Sequence, residues 1–496
     1  MRLYMQMDQM MKKLLVTVSS IALFYGGLQA QTLSAVDTSG KYYYKLAISK
    51  DPADKALVAG KMYDLLKSDR EDDWMMAQQV FNVLKKKATG DSIQEVIKTR
   101  FPGGQFWRSE ELQAIYDASA AADKEALYKK WLKKYPVKKF AGRRIMYDYA
   151  ANNVARAYAT EKNVKKAMYY ADKGETPAWN GEAWAGIAMD LEKVGYVEQA
   201  AILYKKALEN SLAFRTTRTG EEGAKFAAAG YRSYCNSYAR CLLLQKKTDS
   251  ALVYVQKAYA EGKPTGYIIQ NYVDILRTLD RDKEAYEKAD EIVQTGLAEK
   301  KLKDIHKELY EKLNPGGKPY AAFMKEVEIE ITKKIIANLK NTIINQASPA
   351  WVLKDVDGNA VSSESLKGKT VVLDFWATWC GPCKRSFPAM QMAVNKFKDN
   401  PDVQFLFIHT WEKGEADATA AAKKYIDDNK YSFRVLMDLK DAESGNNKVV
   451  EGFGIQGIPT KFVIDKNGNI RFRVTGFSGT DESAVEEISA MIDLVK

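Results

Sequence analysis

The sequence contains very little of the chemistry that cross-linked and metal-bound folds require. Among 496 residues there are four cysteines and two histidines. Domains stabilised by disulfides are dense in cysteine, so this chain does not depend on cross-links for its fold. A zinc site that starts from one Cys-x-x-Cys pair usually has a matching pair about 12–20 residues further on, and none is present. We therefore expect no metal ion and no cofactor.

Clusters of one charge sign are also lacking. The formal net charge is +11, yet residues 347–496 contain 19 Lys and Arg against 21 Asp and Glu, so the basic excess lies before residue 347. The basic residues there are spread over predicted helix faces, whereas nucleic-acid binding needs them clustered on one face. We interpret them as a solvated surface, with weak adhesion to anionic surfaces as the alternative. We expect no nucleic-acid partner.

Long apolar runs are absent apart from one stretch near the start of the chain. It extends from Leu14 to Leu28, follows two lysines and ends close to the small residue Ala30. This pattern predicts a signal peptide, residues 1–30, that is cleaved after Ala30. The run is shorter than the roughly 20 apolar residues of a membrane-spanning helix, and an uncleaved anchor is the alternative. We expect the mature protein to be exported and soluble.

Residues 41–345 lack alternating β-branched runs. Their apolar residues recur at spacings of three and four, which predicts helices almost throughout. Within 150–296 one set of apolar positions recurs after 33, 51 and 34 residues, and the longest step includes an insertion. The clearest unit has large residues on its first helix and small ones where two helices would cross, at Trp184, Ile187, Ala188, Leu191, Ala200, Tyr204 and Ala207. Such a period is typical of stacked helical hairpins.

This pattern resembles the tetratricopeptide repeat, in roughly four degenerate units. It departs from that family at Cys235, where Trp is usual, at Ala171 and Ala289, where an aromatic residue is usual, and in lacking the closing proline. We predict that one aromatic stripe forms core between the helices, with a groove that binds a protein partner as the alternative: Trp184, Tyr204, Tyr238 and Tyr272.

The remaining helical segments show no recognisable repeat frame, and further divergent helical hairpins that cap the array are the alternative for residues 41–149. We predict a helical region of unknown role over 31–149 and a helical connector over 297–346, on either side of the repeats at 150–296. Cys235 and Cys241 lie six residues apart on one predicted helix. They would face different sides of that helix, so we interpret both as buried small residues and not as a disulfide.

The pattern changes after residue 347. Strand and helix signals follow in the order β-β-β-α-β-α-β-α-β-β-α, and Asp-Gly and Asn-Gly pairs mark two hairpin turns. The segment TVVLDFWA is a nearly continuous apolar run, as expected of a buried parallel strand. The predicted fold class is therefore multidomain, with an all-α repeat region followed by an α/β domain.

Two of the four cysteines lie directly after that strand, in W-C-G-P-C. Cys380 ends the loop, and Cys383 falls in the first turn of the next helix. A helix N-terminus presents unpaired N–H groups and partial positive charge, which favour the thiolate of Cys380 and make it the attacking sulfur. Lys384 and Arg385 add positive charge nearby. Neither cysteine fits the P-x-x-x-T-x-x-C pattern of peroxidatic cysteines.

The segment DFWATWCGPCKRSFP resembles the thioredoxin active site. Residues 347–496 resemble the TlpA/ResA branch of exported thioredoxin-like thiol-disulfide oxidoreductases, with the leading segment DVDGNAVSSESLKGK and an additional helix–strand block at 412–438 as its marks. The resemblance implies a thioredoxin fold and a redox-active disulfide. Its nucleophile would be Cys380 and its resolving thiol Cys383.

The resemblance also implies roles for residues around the pair. Trp379 would lie beside the disulfide, and Pro459 would be a cis-proline that packs against it. Together with Ile458, these two residues would form the surface that binds the incoming peptide. Asp374 would be a buried acid that moves protons to and from the resolving thiol, with a partly solvated strand residue as the alternative.

Other positions in this domain carry weaker expectations. Pro388 and Gly476 match structural positions of the family. The lysine that accompanies the buried acid in thioredoxin has no clear counterpart. His409 ends a strand near the place where that lysine would lie. We interpret His409 as structural, with a proton shuttle as the alternative.

These features predict an exported thiol-disulfide oxidoreductase that reduces disulfides in periplasmic client proteins. The resemblance implies a membrane thiol carrier as electron donor, and apocytochrome c among the substrates of the branch. The alternative is a scaffold of tetratricopeptide type that binds proteins and carries an accessory redox domain. Fusion of such an array to this domain resembles proteins of Gram-negative bacteria, which favours the periplasm, either free or associated with the membrane.

Overall fold

The computed structural model of the chain describes residues 40–139, 145–413, 417–442, 445–477 and 479–496. The predicted signal peptide, residues 1–30, lies outside the described residues. The chain divides into two compact units, 1–146 and 147–496. Among the helices of the described residues, none combines the length and the apolar character needed to cross a membrane.

The first unit is helical throughout its described part. Buried apolar side chains such as Met62, Trp74 and Phe81 form its core. Its helices are α1 (Gly40–Ala47), α2 (Pro52–Leu65), α3 (Glu71–Val83), α4 (Lys87–Arg100), α5 (Gln105–Asp117) and α6 (Ala121–Lys134).

The second unit begins with helices that pack as successive antiparallel pairs. A short additional helix, α11, follows the predicted insertion. These helices are α7 (Ile145–Thr160), α8 (Val164–Ala171), α9 (Pro177–Lys193), α10 (Val197–Thr216), α11 (Ala224–Ala229), α12 (Tyr231–Leu244), α13 (Thr248–Ala260), α14 (Gly266–Thr278), α15 (Asp282–Val293), α16 (Lys300–Leu313) and α17 (Tyr320–Lys340).

The turn inside each of four pairs has the same backbone geometry. One residue there has a positive φ, at Lys162 (63°), Gly195 (94°), Lys246 (60°) and Asp280 (56°). In each turn the N–H of the next residue bonds to a carbonyl five residues back, as from Tyr196 to Leu191 at 2.9 Å. These turns recur at the spacing of the predicted repeat. The stripe predicted as core is buried at Tyr204 and Tyr272 and partly buried at Trp184 and Tyr238.

A hairpin in the first unit follows the same frame, as expected if residues 41–149 contain further divergent helical hairpins. Lys85, between α3 and α4, has a φ of 60°, and the N–H of Lys86 bonds to the Phe81 carbonyl. Trp74, Phe81 and the buried Gly90 lie 110 residues before Trp184, Leu191 and Ala200. A Cβ on Gly90 would lie 2.1 Å from Asn82 Oδ1, so a larger residue there would require the Asn82 side chain to move.

The predicted connector is packed and does not act as a loose linker. Leu302 and Leu309 of α16 and Val327 of α17 belong to the core of the repeats. At its other end α17 contributes Leu339 to the core of the α/β domain. The helix therefore joins two hydrophobic cores within the second unit.

An eight-stranded sheet forms the centre of the C-terminal domain, in the order β1-β8-β7-β4-β5-β6-β2-β3. β4 and β5 are parallel, as are β5 and β6, while β7 runs antiparallel to β4. All seven residues of β4 are buried. The strands are β1 (Gln346–Ala347), β2 (Val352–Asp355), β3 (Ala360–Ser362), β4 (Thr370–Trp376), β5 (Val403–His409), β6 (Val435–Met437), β7 (Thr460–Ile464) and β8 (Asn469–Thr475).

Helices cover both faces of this sheet. The core on one face contains residues of three helices, α18 (Gly381–Phe397), α19 (Ala418–Asp428) and α21 (Asp481–Val495). The core on the other face includes Val450 of the short helix α20 (Lys448–Gly452). The order confirms the predicted fold class, a helical array followed by an α/β domain of thioredoxin type. Among the described elements of this domain, the two-residue strand β1 and a 3-10 helix at Glu364–Leu366 lie outside the predicted order.

Candidate active site

The two cysteines predicted as a redox pair lie where β4 passes into α18. Cys380 is the N-cap of α18, and the backbone N–H of Cys383 donates to its Sγ at 3.2 Å. Pro382 occupies the first turn. The two sulfurs form a disulfide, with Cα atoms 5.3 Å apart. The positive end of α18 therefore points at the sulfur of Cys380, as a stabilised thiolate requires.

Trp379 is the exposed side chain of this loop. Its side chain is 44% accessible, yet its position is fixed by a hydrogen bond, because the indole N–H donates to the Trp411 carbonyl at 2.8 Å. The ammonium of Lys413 lies 4.4 Å from the ring centroid, close enough for a cation–π contact. An aromatic surface next to a nearly buried disulfide suits contact with an extended peptide.

The predicted cis peptide bond is present between Ile458 and Pro459. Because β7 is antiparallel to β4, with Thr460 paired to Phe375, Pro459 lies beside the end of β4 and the start of the redox loop. The N–H of Gly476 donates to the Pro459 carbonyl at 2.8 Å. Ile458 is partly buried against the core. The pairing of β7 with β4 thus places Ile458 and Pro459 at the end of β4, where the loop with Trp379 begins.

Asp374 is a buried acid, accessible over only 1% of its surface. Burial raises the pKa of its carboxyl, against the opposing charge of Lys461. Lys461 faces it from β7, with Nζ 3.2 Å from Oδ2. This contact is an ion pair without hydrogen-bond alignment, since neither carboxylate oxygen has a hydrogen-bond donor among the described residues. A carboxylate held in this way is well suited to accept a proton.

Lys461 is the residue that sequence reasoning missed, and it corrects the expectation that Asp374 has no lysine partner. Its ammonium donates to Ser386 Oγ at 3.3 Å, and Ser386 donates to the Cys383 carbonyl at 2.8 Å. The pair is thereby linked to the helix that carries the cysteines. A charged residue inside the apolar strand TKFVI was the available signal.

His409 lies at the end of β5, and its described contacts are with Glu412 and Trp376. Its Nε2 lies 2.7 Å from Glu412 Oε2, and its ring meets Trp376 edge-on at 4.9 Å. Burial lowers the pKa of His409, against the opposing effect of Glu412. These contacts agree with the structural interpretation of His409, and neither of them is with a cysteine.

Glu412 is a second residue that the sequence did not reveal. It accepts hydrogen bonds from Thr378 N at 3.1 Å and Thr378 Oγ1 at 2.7 Å. Burial would raise the pKa of Glu412, but these bonds together with those from Lys413 and His409 lower it. Trp411, one residue earlier, has a φ of 54°. The carboxylate therefore anchors the loop that ends in Cys380.

The other predicted residues, Pro388, Cys235 and Cys241, lie within helices. Pro388 lies inside α18. Cys235 and Cys241 are free, buried thiols, and burial raises their pKa to about 11 and about 12. Such thiols are unreactive at neutral pH, as their prediction as buried small residues requires. Within the described residues, no group of three or more His, Cys, Asp and Glu side chains could hold a metal ion.

Comparison with known proteins gives matches to part of the chain. Residues 344–473 match the AhpC/TSA family. The thiol-disulfide oxidoreductase ResA of Bacillus anthracis is 31% identical over 134 residues, which are 27% of this chain and 70% of that protein. The thioredoxin-like protein YneN of Bacillus subtilis is 32% identical over 126 residues, or 25% of this chain and 68% of YneN. A solved thiol:disulfide interchange protein of the thioredoxin family from Chlorobium tepidum is 25% identical, covering 31% of this chain and 97% of its own, with a TM-score of 0.25.

Proposed function

This chain belongs, through its C-terminal domain, to the family of ResA-type thiol-disulfide oxidoreductases, and we propose that it reduces disulfides in client proteins of the periplasm. Thiol-disulfide exchange is its activity. The observation that carries the proposal is the Cys380–Cys383 disulfide at the N-terminus of α18, beside the cis peptide bond at Pro459. We propose in addition that the exchange runs in the direction of reduction, that the protein is exported and that its clients are periplasmic proteins.

The proposed reaction begins with the reduced pair. The thiolate of Cys380 attacks one sulfur of the client disulfide, forming a mixed disulfide and releasing a client thiolate. Asp374 takes the proton of the Cys383 thiol. The thiolate of Cys383 then attacks Cys380, which restores the disulfide and releases the second client thiolate. Two electrons pass to the client, whose two thiolates take up protons.

The peptide of the client would bind across the edge formed by Trp379, Ile458 and Pro459. Support comes from the exposed, anchored indole of Trp379 and from the position of Pro459 at the start of β7. Backbone groups next to Pro459 would pair with the client in an extended conformation. The cysteines are nearly buried, so only a chain that reaches into this edge meets the Sγ of Cys380.

Electrons would come from a membrane thiol carrier, which returns the disulfide to the dithiol. The Gly-Pro pair between the cysteines and the resemblance to the TlpA/ResA branch favour reduction over oxidation. The predicted signal peptide supports an exported protein, and the helical array supports a partner- or client-selecting role. Cell redox homeostasis and cytochrome c biogenesis are the processes that such a reductase would serve.

A scaffold function is the second candidate, and the helical array favours it. In that case the repeats are a scaffold of tetratricopeptide type that binds a protein partner, and the redox domain is accessory. Packing of α17 into both cores of the second unit also supports a joint role, because the array and the redox domain would then act on one client.

Trapping of clients tests the proposal. A full-length Cys383→Ser variant, expressed with its own N-terminus in a Gram-negative host, should accumulate mixed disulfides through Cys380 in the exported fraction. Non-reducing gels and mass spectrometry would detect adducts that disappear with reductant. A Cys380→Ser, Cys383→Ser variant is the matched control and should form none. If the two variants give the same pattern, the reductase proposal is rejected, and partner binding without adducts would favour the scaffold.

A further inference from the structure

Two exposed cations lie next to the redox loop, and neither forms an ion pair with an acid among the described residues. Lys413 is exposed and places its ammonium 4.4 Å from the centroid of the Trp379 ring. Arg385 is exposed on α18, with Nη1 3.7 Å from the position that a Cβ on Gly381 would take. Trp379 and Gly381 are the chain neighbours of Cys380. Both neighbours of the attacking cysteine therefore have a cation close to them.

The acids that follow the neighbouring strands are bound by internal donors and not by these cations. Because β4, β5 and β6 are parallel, their carboxyl ends lie at the same end of the sheet. Glu412, which follows β5, accepts the hydrogen bonds of the loop anchor. Asp438, directly after β6, is buried and accepts from the Thr410 hydroxyl at 2.9 Å and from two backbone N–H groups of α20. The exposed charge beside the redox pair is therefore positive.

Lys384, the third basic residue near the pair, packs on a different aromatic ring. It is half-buried, and its ammonium lies 5.6 Å from the ring centroid of Tyr425 in α19. Tyr425 in turn contacts Phe387 of α18, so this lysine lies over the contact between the two helices. Lys384 thus has the same charge as Arg385 and a neighbouring position on α18, but a different contact surface.

A client bound at the redox pair comes close to both exposed cations. Its peptide would lie on the indole of Trp379, next to the Lys413 ammonium. Its disulfide must reach Cys380, and the Arg385 guanidinium lies beside the following residue. Lysine and arginine bind carboxylates through charge-assisted hydrogen bonds, and arginine can form two in parallel. Acidic side chains beside the client disulfide would therefore find partners here, whereas basic ones would be repelled.

We propose that Lys413 and Arg385 make the site selective for client disulfides that are flanked by acidic side chains. The inference rests on the proposed reductase function and names the class of client that it serves. Both residues act on recognition and take no part in the exchange of electrons between the sulfurs. Charges at the rim of an interface act mainly on the rate of association, so the selectivity should appear in the rate of the first attack and should depend on salt.

Oxidation of the reduced full-length protein by synthetic disulfide peptides tests the proposal. The probes are three peptides that differ only in carrying Glu, Gln or Lys on both sides of one cysteine. Each rate constant is divided by that of the same peptide with dithiothreitol, which corrects for the reactivity of the peptide itself. At low salt the corrected rate for the Glu peptide should be about three- to tenfold that for the Gln peptide, and the Lys peptide should be slowest. The preference should nearly vanish in about 1 M salt, which screens exposed charges.

Variants that remove one charge identify the residues responsible. Lys413→Met and Arg385→Met should each lower the Glu-to-Gln ratio, and the double variant should bring it close to one. Lys384→Met should change the rates with all three peptides by a common factor, because its charge acts on Cys380 without contacting the client. Lys398→Met removes an exposed charge at the other end of α18 and is the matched control, which should keep both the rates and the ratio.

The outcomes separate this inference from the function on which it rests. Equal corrected rates for the Glu and Gln peptides, or a preference that survives in the double variant, would overturn the inference and leave the reductase function intact. A loss of preference in Lys384→Met as large as that in Arg385→Met would also overturn it, because the charge of the helix end as a whole would then be responsible. A reduced protein that reacts with none of the peptides would reject the reductase function, and this inference with it. Thermal unfolding of each variant verifies that it is folded.

Discussion

At the scale of single residues, Asp374 was predictable and Lys461 was not. The acid precedes the redox motif by six residues, so a local segment identifies it. Lys461 lies 87 positions later, and only the register between β4 and β7 brings it opposite Asp374. Register depends on side-chain packing over the whole sheet and not on spacing along the chain. Spacing along the chain does not reveal Glu412 either, which follows Trp411, a residue with a left-handed backbone.

Removal of the Lys461 charge should lower the free energy of unfolding, because Asp374 is then buried without an opposite charge. Burial raises the pKa of Asp374 in the folded state, so its stabilising contribution is complete at low pH and is lost as the pH rises through the folded value. Without the Lys461 ammonium, more stability is lost as the pH rises. Lys461→Met should therefore lower the free energy of unfolding at neutral pH by about 3–5 kcal/mol. Chemical denaturation at pH 5 and pH 8 measures it.

The exposed Lys466→Met variant is the control for that measurement and should show no such pH dependence. An equal stability difference between Lys461→Met and the unsubstituted protein at both pH values would contradict the assignment of Lys461 as the partner of Asp374.

For Glu412, the predicted change of stability with pH has the opposite sign. Its pKa is lowered in the folded state, so its contribution is present above the unfolded value and is lost as the pH falls through the folded one. Glu412→Gln should therefore cost about 1.5–3 kcal/mol at pH 7 and much less at pH 3. It should also slow thiol-disulfide exchange, because one of the two carboxylate oxygens that accept hydrogen bonds from Thr378 is replaced by an N–H donor.

Unfolding curves at the two pH values, together with insulin reduction, measure both effects. Glu364→Gln removes an exposed carboxylate that pairs with Lys367 and serves as the control. An unchanged exchange rate for Glu412→Gln would show that the loop needs no anchor.

At the scale of elements, apolar periodicity gave the helices and the order of the α/β domain. The C-terminal elements were recognisable because buried strands and amphipathic helices have different periods. Two features were not. β1 is only two residues long, too short for a period. The hairpin of α3 and α4 departs from the clearest repeat unit, with Gly90 where that unit has Ala200, so the backbone shows the frame more clearly than the side chains do.

The left-handed turns of the repeats predict a simple stability change. Lys162 and Lys246 hold a positive φ that costs a side-chain-bearing residue roughly 1–2 kcal/mol. Lys162→Gly and Lys246→Gly should therefore each stabilise the protein, by somewhat less than this because glycine loses more entropy on folding.

The reverse change at Gly195 is the matched test. A Cβ there would meet nothing within 4 Å, so Gly195→Ala should destabilise through backbone strain alone. Thermal unfolding compares the three variants. Stabilisation by Gly195→Ala would contradict the shared turn geometry.

At the scale of the whole molecule, the sequence predicted the order of a helical array and a redox domain but not their connection. The predicted connector contributes α17 to the cores on both sides, so in the second unit the array and the redox domain share hydrophobic packing. Such packing depends on which helix faces meet, and a single amphipathic period does not determine that. A reductase built in this way would select its clients through the array and reduce them at Cys380.

The reduction potential of the Cys380–Cys383 pair decides whether it acts as a reducing dithiol. Equilibration of the full-length protein with glutathione or dithiothreitol buffers, followed by quantification of the two redox forms, gives the value. We predict a potential near that of thioredoxin, about −270 mV. A value near that of DsbA, about −120 mV, would mean that the protein oxidises its clients and would contradict the account.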